Sequence, residues 1–368
     1  MKLHLIELIQ LRIPLLSPFV TSFGTQTHRD ALLVHVSSDS AEGWGECVAL
    51  AAPVYSPEYA HGAAAIIEQF FAPVLLGQEQ LSAADVAPLL QHFYGHQMAK
   101  AAVEAAVLDA ELRAQQLSFA AFLGVERDRV PSGVSVGIQA SIERLVEVVA
   151  GYLAEGYQRI KIKIQPGWDV APVSALRAEF GDIPLQVDAN SAYTLDDIAL
   201  LRDLDQFELL LIEQPLYEDD IRLHGVLAAQ LTTPVCLDES ILSLRSAADA
   251  IALRAAGVIN IKPGRVGGYL EAVRIHDLAV RSGVPVWCGG MLETGVGRAA
   301  NAALAALPGF SMVGDISASD RFYAQDITEP VLMQDGWIEV PSTPGLGRVP
   351  LPDVLAEFEV SRTRILPG

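Results

Sequence analysis

The chain has 368 residues, of which 51% are hydrophobic and only 19% are charged. This composition excludes intrinsic disorder, and the length favours two domains, one of them large. The 25 lysines and arginines are outnumbered by 45 aspartates and glutamates, which gives a net charge of −20. Because that charge repels phosphate backbones and anionic lipid, nucleic acid and membrane surfaces are poor candidate partners.

The three cysteines, Cys47, Cys236 and Cys288, lie far apart and show no C-x-x-C spacing. We interpret them as reduced, packed thiols of a cytoplasmic protein. The first residues alternate between apolar and polar and carry charges at Lys2, Glu7 and Arg12, so no signal peptide is expected. No stretch is apolar enough for a membrane span.

Residues 1–124 have the pattern of an α+β module. Predicted strands cover 3–14, 31–37 and 42–47, and predicted helices cover 57–71, 83–94 and 99–116. The polar stretch SPFVTSFGTQTHRD follows the first strand and contains Phe19 and Phe23. It is predicted to be either an ordinary surface loop or a lid that closes on a ligand.

After Gly124 the pattern changes to short β-branched runs, each followed by an amphipathic Ala/Leu-rich segment. The runs are VSVGI, RIKIKI, PLQVD, LLLIE, PVCLD, VINIK, PVWCGG and SMVGD. Eight such alternations predict an α/β fold of the (β/α)8 TIM barrel type.

Charged residues end five consecutive runs. Lys163, Asp188, Glu213 and Asp238 follow one another at intervals of 25 residues, and Lys262 comes 24 residues later. Because barrel enzymes build their active sites at the carboxyl ends of the strands, these side chains are predicted to converge at one mouth. Buried charges are costly unless they are paired or bound to metal.

The three carboxylates, Asp188, Glu213 and Asp238, form the hard-oxygen ligand set that Mg²⁺ prefers. Each of them could instead cap the helix that follows its strand. The equal spacing of all three favours the metal site.

Two lysines share one strand face, because Lys161 and Lys163 are two residues apart. If that face is the barrel interior, the like charges lower a pKa, and a neutral lysine can act as a general base. The alternative is a basic stripe on an exposed edge strand. Ile160, Ile162 and Ile164 alternate on the opposite face, where they would pack on helices.

Lys262 comes from a strand roughly across the barrel, so two lysines could address both faces of one carbon. The glycines of VINIKPGRVGG and CGGMLETGVGR could instead form a phosphate-binding loop, but that would not explain the carboxylates. The parts predict proton abstraction next to a metal-chelated carboxylate, with the metal stabilising the enediolate.

Several segments carry a family resemblance, which runs along nearly the whole chain. They are KIKIQPGWD, VDANSAYT, IEQPL, CLDES, NIKPGRVGGYLEA and WCGGMLETGVGRAAN. Together they resemble the enolase superfamily, muconate-lactonizing subgroup, and specifically its o-succinylbenzoate synthase / N-succinylamino acid racemase family.

The resemblance implies an enolase-like, modified barrel at 125–320 under an α+β capping domain of residues 1–124, completed by 321–368. It implies Mg²⁺, with Mn²⁺ or Co²⁺ able to substitute, on the three carboxylates named above. It also implies that Lys163 is the acid/base, Lys161 its pKa-lowering neighbour and Lys262 the opposite lysine.

The resemblance further implies a set of residues that bind the substrate. They are Phe19, Phe23, Leu50, Tyr55, Ser135, Arg265, Gly290, Met291, Leu292 and Phe322. Arg265 is similar to the residue associated with the racemase branch, and a surface ion pair is the alternative for it.

The implied activity is o-succinylbenzoate synthesis, the syn dehydration of 2-succinyl-6-hydroxy-2,4-cyclohexadiene-1-carboxylate in menaquinone biosynthesis, with N-succinylamino acid racemisation beside it. A dedicated racemase without a menaquinone role is the alternative. The implied partners are a small succinylated carboxylate and further copies of the chain in a homo-oligomer.

Sibling activities fit the sequence less well. Mandelate racemase-like enzymes carry a His at the end of the seventh strand, where this chain has Cys288 followed by two glycines. Dipeptide epimerases show Asp-x-Asp after the eighth strand, where this chain has Asp315 and Ser317. Muconate cycloisomerases would differ only in the pocket, and a non-catalytic barrel would not need all these residues.

Overall fold

The computed structural model describes residues 1–368. The amino-terminal region contains three strands and five helices. They are β1 (Leu3–Thr21), β2 (Gly24–Ser38), β3 (Glu42–Cys47), α1 (Ala60–Ile66), α2 (Ala72–Leu76), α3 (Ala83–Leu90), α4 (Gln97–Ala114) and α5 (Phe119–Phe122), with a π-helical turn at Ile67–Phe71.

The middle of the chain alternates strands and helices. Its elements are β4 (Arg129–Pro131), β5 (Gly133–Val136), α6 (Ile142–Ala154), β6 (Arg159–Lys163), α7 (Val170–Phe180), β7 (Leu185–Asp188), α8 (Ile198–Asp203), β8 (Ile212–Glu213), α9 (Ile221–Ala228), β9 (Val235–Leu237), α10 (Leu244–Ala252), β10 (Val258–Ile261), α11 (Pro263–Val266), α12 (Tyr269–Arg281), β11 (Val286–Cys288) and α13 (Gly295–Ala305). Short 3₁₀ turns lie at Leu195–Asp197, Asp205–Phe207 and Ser319–Arg321.

The last part of the chain adds β12 (Met333–Gln334), β13 (Trp337–Glu339), α14 (Pro352–Phe358) and β14 (Glu359–Ile365). The strands form three sheets. One is antiparallel with the order β14-β1-β2-β3, one has the order β11-β10-β9-β8-β7-β6-β5, and a small one has the order β12-β13-β4.

The seven-stranded sheet is parallel throughout and curls into a barrel. The eighth predicted run forms no regular strand, so the barrel has seven strands and one extended closing segment, 312–315. Met312 N and Asp315 N donate to carbonyl groups of β11 at 3.4 and 3.0 Å, and Gly314 O accepts from Gly133 N of β5 at 3.1 Å. These few backbone bonds join the two edges of the sheet.

A buried arginine on β6 also ties this seam together. The Arg159 guanidinium donates to Val134 O on β5 at 3.3 Å and to Val313 O at 3.1 and 3.2 Å. It also donates to Asp315 Oδ1 at 2.8 Å. One side chain therefore bonds to both sides of the seam between β5 and the closing segment.

The stretch predicted as a loop, SPFVTSFGTQTHRD, is the end of a long β-hairpin. β1 and β2 pair from Leu3 opposite Ser38 to Thr21 opposite Gly24, with an irregularity between Pro14 and Phe19. The loop prediction was wrong because Ser and Thr dominate the stretch, although Thr, Val and Phe favour extended backbone. The hairpin end lies against the barrel, where Ile138 N donates to Val20 O at 3.1 Å.

The predicted helices exist, with shifted ends. The first predicted helix begins at Ala60 and passes through the π-helical turn before continuing as α2. α3 ends at Leu90 rather than Tyr94, since turn residues and Gly95 in the left-handed region follow it. None of the helices combines the length and apolarity needed to cross a membrane.

Two large groups of buried apolar side chains hold the molecule together. One runs from α1–α4 to β9–β11 and the helices α10, α12 and α13, and therefore joins the antiparallel sheet region to the barrel. The other packs Ile160 and Ile162 of β6, with Ile164 directly after the strand, against Val149 of α6 and Leu176 of α7. This packing confirms the predicted outward face of β6. All three cysteines are buried free thiols, as predicted.

Candidate active site

The five charged residues at the strand ends converge at the carboxyl end of the barrel, as predicted. In the strand register Lys163 lies beside Asp188, and Asp188 beside Glu213. Asp238 and Lys262 directly follow β9 and β10. All five are at least nine-tenths buried, so their charges can be stable only in contact with one another or with a ligand.

The two lysines of β6 share one carboxylate oxygen. Lys163 Nζ lies 2.6 Å from Asp188 Oδ2, and Lys161 Nζ lies 3.4 Å from the same atom. Lys163 also donates to Asn190 Oδ1 at 2.6 Å. Burial disfavours ionisation of Asp188, but the two ammonium groups outweigh burial and lower the pKa of Asp188 to about 2.

Lys161 lies deeper in the barrel and has further anionic partners. Its Nζ lies 2.9 Å from Glu213 Oε2 and 2.7 Å from Asp315 Oδ2, and 4.7 Å from the centroid of the Trp287 ring. Burial alone would lower the pKa of Lys161, but the carboxylates of Asp315, Glu213 and Asp188 together raise it above its ordinary value. Lys161 is thus held as a cation.

On the opposite side of the mouth, Lys262 Nζ donates to Asp238 Oδ2 at 2.7 Å and to the Tyr55 hydroxyl at 3.1 Å. The Arg265 guanidinium pairs with the other oxygen of Asp238. Arg265 is 2% exposed and also donates to the carbonyl groups of Ile241 and Asn260 at 2.8 and 2.7 Å. Its contacts are therefore those of a buried ion pair, not of the surface pair considered above.

The donor chemistry of the three carboxylates fits a hard divalent cation. Asp188, Glu213 and Asp238 are at most 1% exposed, and two nearby buried acceptor atoms, Asn260 Oδ1 and Glu239 Oε2, have no hydrogen-bond partner. The structure as it stands contains no cluster of three metal-ligating side chains around one point. The ammonium and guanidinium groups lie between the carboxylates, and a cation would have to take their place.

Several residues that follow the barrel strands have a strained backbone. Asn190, Ser191, Gln214 and Leu292 all have φ between +39° and +63°, a region that costs non-glycine residues free energy. Gln214 compensates with its side chain, whose Oε1 accepts from the backbone of Asp238 at 3.0 Å. Asn190 and Gln214 thus bond directly to the carboxylate residues Asp188 and Asp238.

A cavity opens above these charges, between the hairpin end and the barrel. Nine of the ten residues predicted to bind substrate line it. They are Phe19, Phe23, Leu50, Tyr55, Ser135, Gly290, Met291, Leu292 and Phe322. Arg265 does not line the cavity, because it lies behind Asp238. Contact of all ten residues with substrate stays a prediction.

The loop 290–293 forms one wall of the cavity and is fixed by its neighbours. Met291 N donates to Glu293 Oε2 at 2.8 Å, and the Tyr323 hydroxyl donates to Leu292 O. Glu293 in turn accepts from Asn301 Nδ2 at 3.1 Å. Leu292 is therefore held in its strained conformation by two buried hydrogen-bonding side chains.

Sequence reasoning missed several polar residues of the cavity. Asn190 contacts Lys163, and Asp315 contacts Lys161, while Arg298 and Arg321 line the wall near Phe322. Asn190 could have been found from its position two residues after Asp188. The arginines follow no strand in the 25-residue period, so the spacing gave no signal for them.

Family models match most of the chain. Residues 6–124 match the model described as the mandelate racemase / muconate lactonizing enzyme N-terminal domain, and residues 144–354 match the enolase C-terminal domain-like model. This chain belongs to the enolase superfamily. The predicted fold class is confirmed, with the seven-stranded sheet and closing segment described above.

Individual relatives agree with the predicted family. An N-succinylamino acid racemase from Amycolatopsis sp. is 58% identical over 99% of this chain and 100% of its own length. An o-succinylbenzoate synthase from Geobacillus kaustophilus is 45% identical over 92% of this chain and 90% of its own. The solved structure of a dipeptide epimerase from Cytophaga hutchinsonii, complexed with Mg and a dipeptide, has a TM-score of 0.91 at 26% identity over 99% of this chain and 100% of its own.

Proposed function

We propose that this protein is a divalent-metal-dependent enzyme that both makes o-succinylbenzoate by syn dehydration and racemises N-succinylamino acids. The observation that carries the proposal is the pair of lysines at opposite strand ends of one barrel mouth. β6 and β10 are separated by three strands in a barrel of seven strands and one closing segment, so Lys163 and Lys262 approach the cavity from opposite sides. The names of the Amycolatopsis and Geobacillus relatives support the two activities.

We assign Mg²⁺ to Asp188, Glu213 and Asp238, supported by their oxygen chemistry and by the Mg with which the related dipeptide epimerase is complexed. A bound divalent cation would replace the lysines as counter-ion of these carboxylates, acidify the α-proton of a chelated substrate and stabilise the negative charge that develops when that proton leaves.

In racemisation, the neutral amine of one lysine accepts the α-proton as the C–H bond breaks. The ammonium group of the other lysine donates a proton to the opposite face of the same carbon. Lys163 and Lys262 exchange these roles between the two enantiomers. Lys161 stays charged beside Asp315 and contributes a fixed positive charge next to Lys163.

In the dehydration, Lys163 takes the α-proton and then delivers a proton to the departing hydroxyl group on the same face. The C–O bond breaks, a C=C bond completes the aromatic ring, and water leaves. Lys262 remains protonated and stabilises the developing negative charge electrostatically.

Kinetics on both substrates test the proposal. With Mg²⁺ present, we expect the purified protein to dehydrate 2-succinyl-6-hydroxy-2,4-cyclohexadiene-1-carboxylate and to racemise N-succinyl-L-methionine, and excess EDTA to stop both reactions. Turnover of neither substrate would refute the assignment. Racemisation without dehydration would favour the dedicated racemase, the second candidate, which the racemase name of the Amycolatopsis relative supports.

We also propose the domain division given above, in which residues 321–368 complete the capping domain of residues 1–124. Pairing of β14 with β1 supports it. A cytoplasmic location and a homo-oligomer both stay predictions. Sedimentation of the purified protein would check the oligomeric state.

A further inference from the structure

The cavity is lined by five cationic and two acidic residues, although the whole chain carries a net charge of −20. The cations are Lys161, Lys163, Lys262, Arg298 and Arg321. The three lysines each contact carboxylates of the barrel, as described above. The two arginines do not, and this difference suggests a ligand for them.

Neither Arg298 nor Arg321 forms an ion pair, whereas the barrel arginines Arg159 and Arg265 each have an aspartate partner. Arg298 is 3% exposed and donates only to Ser317 and to the carbonyl group of Glu293, at 2.6 to 3.0 Å. Its Nε is buried without a partner. A buried cation without a counter-ion is unfavourable unless an anion binds beside it.

Arg321 is half-buried and makes one hydrogen bond to the protein, from Nη2 to Ser135 O at 3.1 Å. Its Nε is also buried without a partner, and so is the hydroxyl of Ser135. Ser135 lies beside Lys161 in the strand register, so its side chain points into the barrel mouth. Three unsatisfied donor groups therefore belong to one wall of the cavity.

An aromatic ring holds the two guanidinium groups together. The Cζ atoms of Arg298 and Arg321 lie 5.4 and 4.8 Å from the centroid of Phe322, which itself packs edge-on against Phe19 of the hairpin. Cation–π contact orients the guanidinium groups but leaves their positive charge uncancelled.

We propose that Arg298, Arg321 and the Ser135 hydroxyl form a second anion-binding subsite, which recognises the free carboxylate of a dicarboxylic acyl group on the substrate. The planar guanidinium fork suits a carboxylate. The inference rests on the proposed function, in which the α-carboxylate of the same substrate lies at the lysine side of the cavity. The subsite distinguishes succinylated from acetylated amino acids.

Binding and turnover of N-succinyl-L-methionine and N-acetyl-L-methionine, compared in wild type and Arg321→Met with Mg²⁺ present, test the subsite. We expect Arg321→Met to weaken calorimetric binding of the succinyl compound about 10- to 100-fold, the effect of one charge-assisted hydrogen bond. Affinity for the acetyl compound should change less than about twofold on the same scale. Arg321→Lys should retain part of the preference for the succinyl over the acetyl compound, because it keeps the positive charge.

Arg144→Met is the matched control, since it removes an exposed arginine of α6 whose side chain is 60% accessible. It should leave both affinities unchanged. If Arg321→Met lost affinity equally for both compounds, or lost affinity for neither, the proposed subsite would be overturned. The proposed function is judged separately by turnover: succinyl-selective binding without turnover would sink the function and leave the subsite standing.

Discussion

The two walls of the cavity treat positive charge in opposite ways. On the strand-end wall, Lys161, Lys163 and Lys262 each lie within 2.9 Å of a carboxylate oxygen. On the wall near Phe322, two arginines have no carboxylate partner. The paired charges are neutralised by carboxylates of the barrel itself. In the proposed function the paired lysines act on the substrate, and in the proposed subsite the unpaired arginines bind its second carboxylate.

The largest effect is expected on the paired wall. Replacement of Lys163 by Ala should reduce racemisation of N-succinyl-L-methionine by about 10²–10⁴-fold, because one of the two proton-transfer groups is lost. Lys262 remains, so exchange of the α-proton with solvent deuterium should persist for one enantiomer only, as measured by NMR. Lys2→Ala, at an exposed position, serves as the control. Equal exchange of both enantiomers would contradict the two-lysine arrangement.

The next effect concerns the free energy of unfolding. Asp315→Asn leaves Arg159 without its carboxylate and removes one partner of Lys161, both of them at most 2% exposed. Breaking such a buried pair costs about 3–5 kcal/mol. Arg321→Met breaks no ion pair and should cost less than about 1 kcal/mol. Urea unfolding of both variants measures the difference, and equal destabilisation would show that pairing is not what separates the two walls.

The last effect extends the comparison to a buried acid without a cation. Glu104 of α4 accepts from the backbone of Leu270 at 3.1 Å, and burial raises its pKa to about 8. The unfolded carboxyl titrates near its ordinary value of 4.5, so the folded state binds more protons between the two values. Its contribution to stability is complete below the lower value and is lost as the pH rises towards the higher one.

Glu104→Gln should abolish this loss of stability with rising pH, because an amide does not titrate. Between about pH 5 and pH 8, the free energy of unfolding of the variant should rise relative to that of the wild type by at most about 1.4 kcal/mol per pH unit. Thermal or urea unfolding across that range measures the gain. Parallel stability curves for the two proteins would show that Glu104 stays ionised.

Much of the site could be predicted because strand-end spacing reports on geometry directly. A 25-residue period of charged residues after apolar runs placed Lys163, Asp188, Glu213 and Asp238 at one mouth, and they do converge. The period contains no information about which charges pair. The expectation that Lys161 lowers a neighbouring pKa took account of one like charge, whereas the structure surrounds Lys161 with three carboxylates.

The differences between prediction and structure have the same physical origin, although substrate contact of Arg265 stays a prediction. Arg265 lies close in sequence to Lys262, but its side chain turns back to Asp238 and the cavity does not include it. The hairpin end was assigned to a loop because its polar residues face solvent or the cavity instead of a core. The eighth run pairs too briefly to count as a strand. In each case tertiary contacts, which no local pattern records, decide the outcome.

The Arg159 side chain gives the barrel a property that its strand count alone would not suggest. Only a few backbone bonds close the seam between β11, the closing segment and β5, so amide protons there are expected to exchange with deuterated solvent sooner than those of β6–β9. Arg159 bonds to both β5 and the closing segment. The Arg159 guanidinium thus supplements these few backbone bonds in closing the barrel, and the carboxylate that orients it also contacts Lys161.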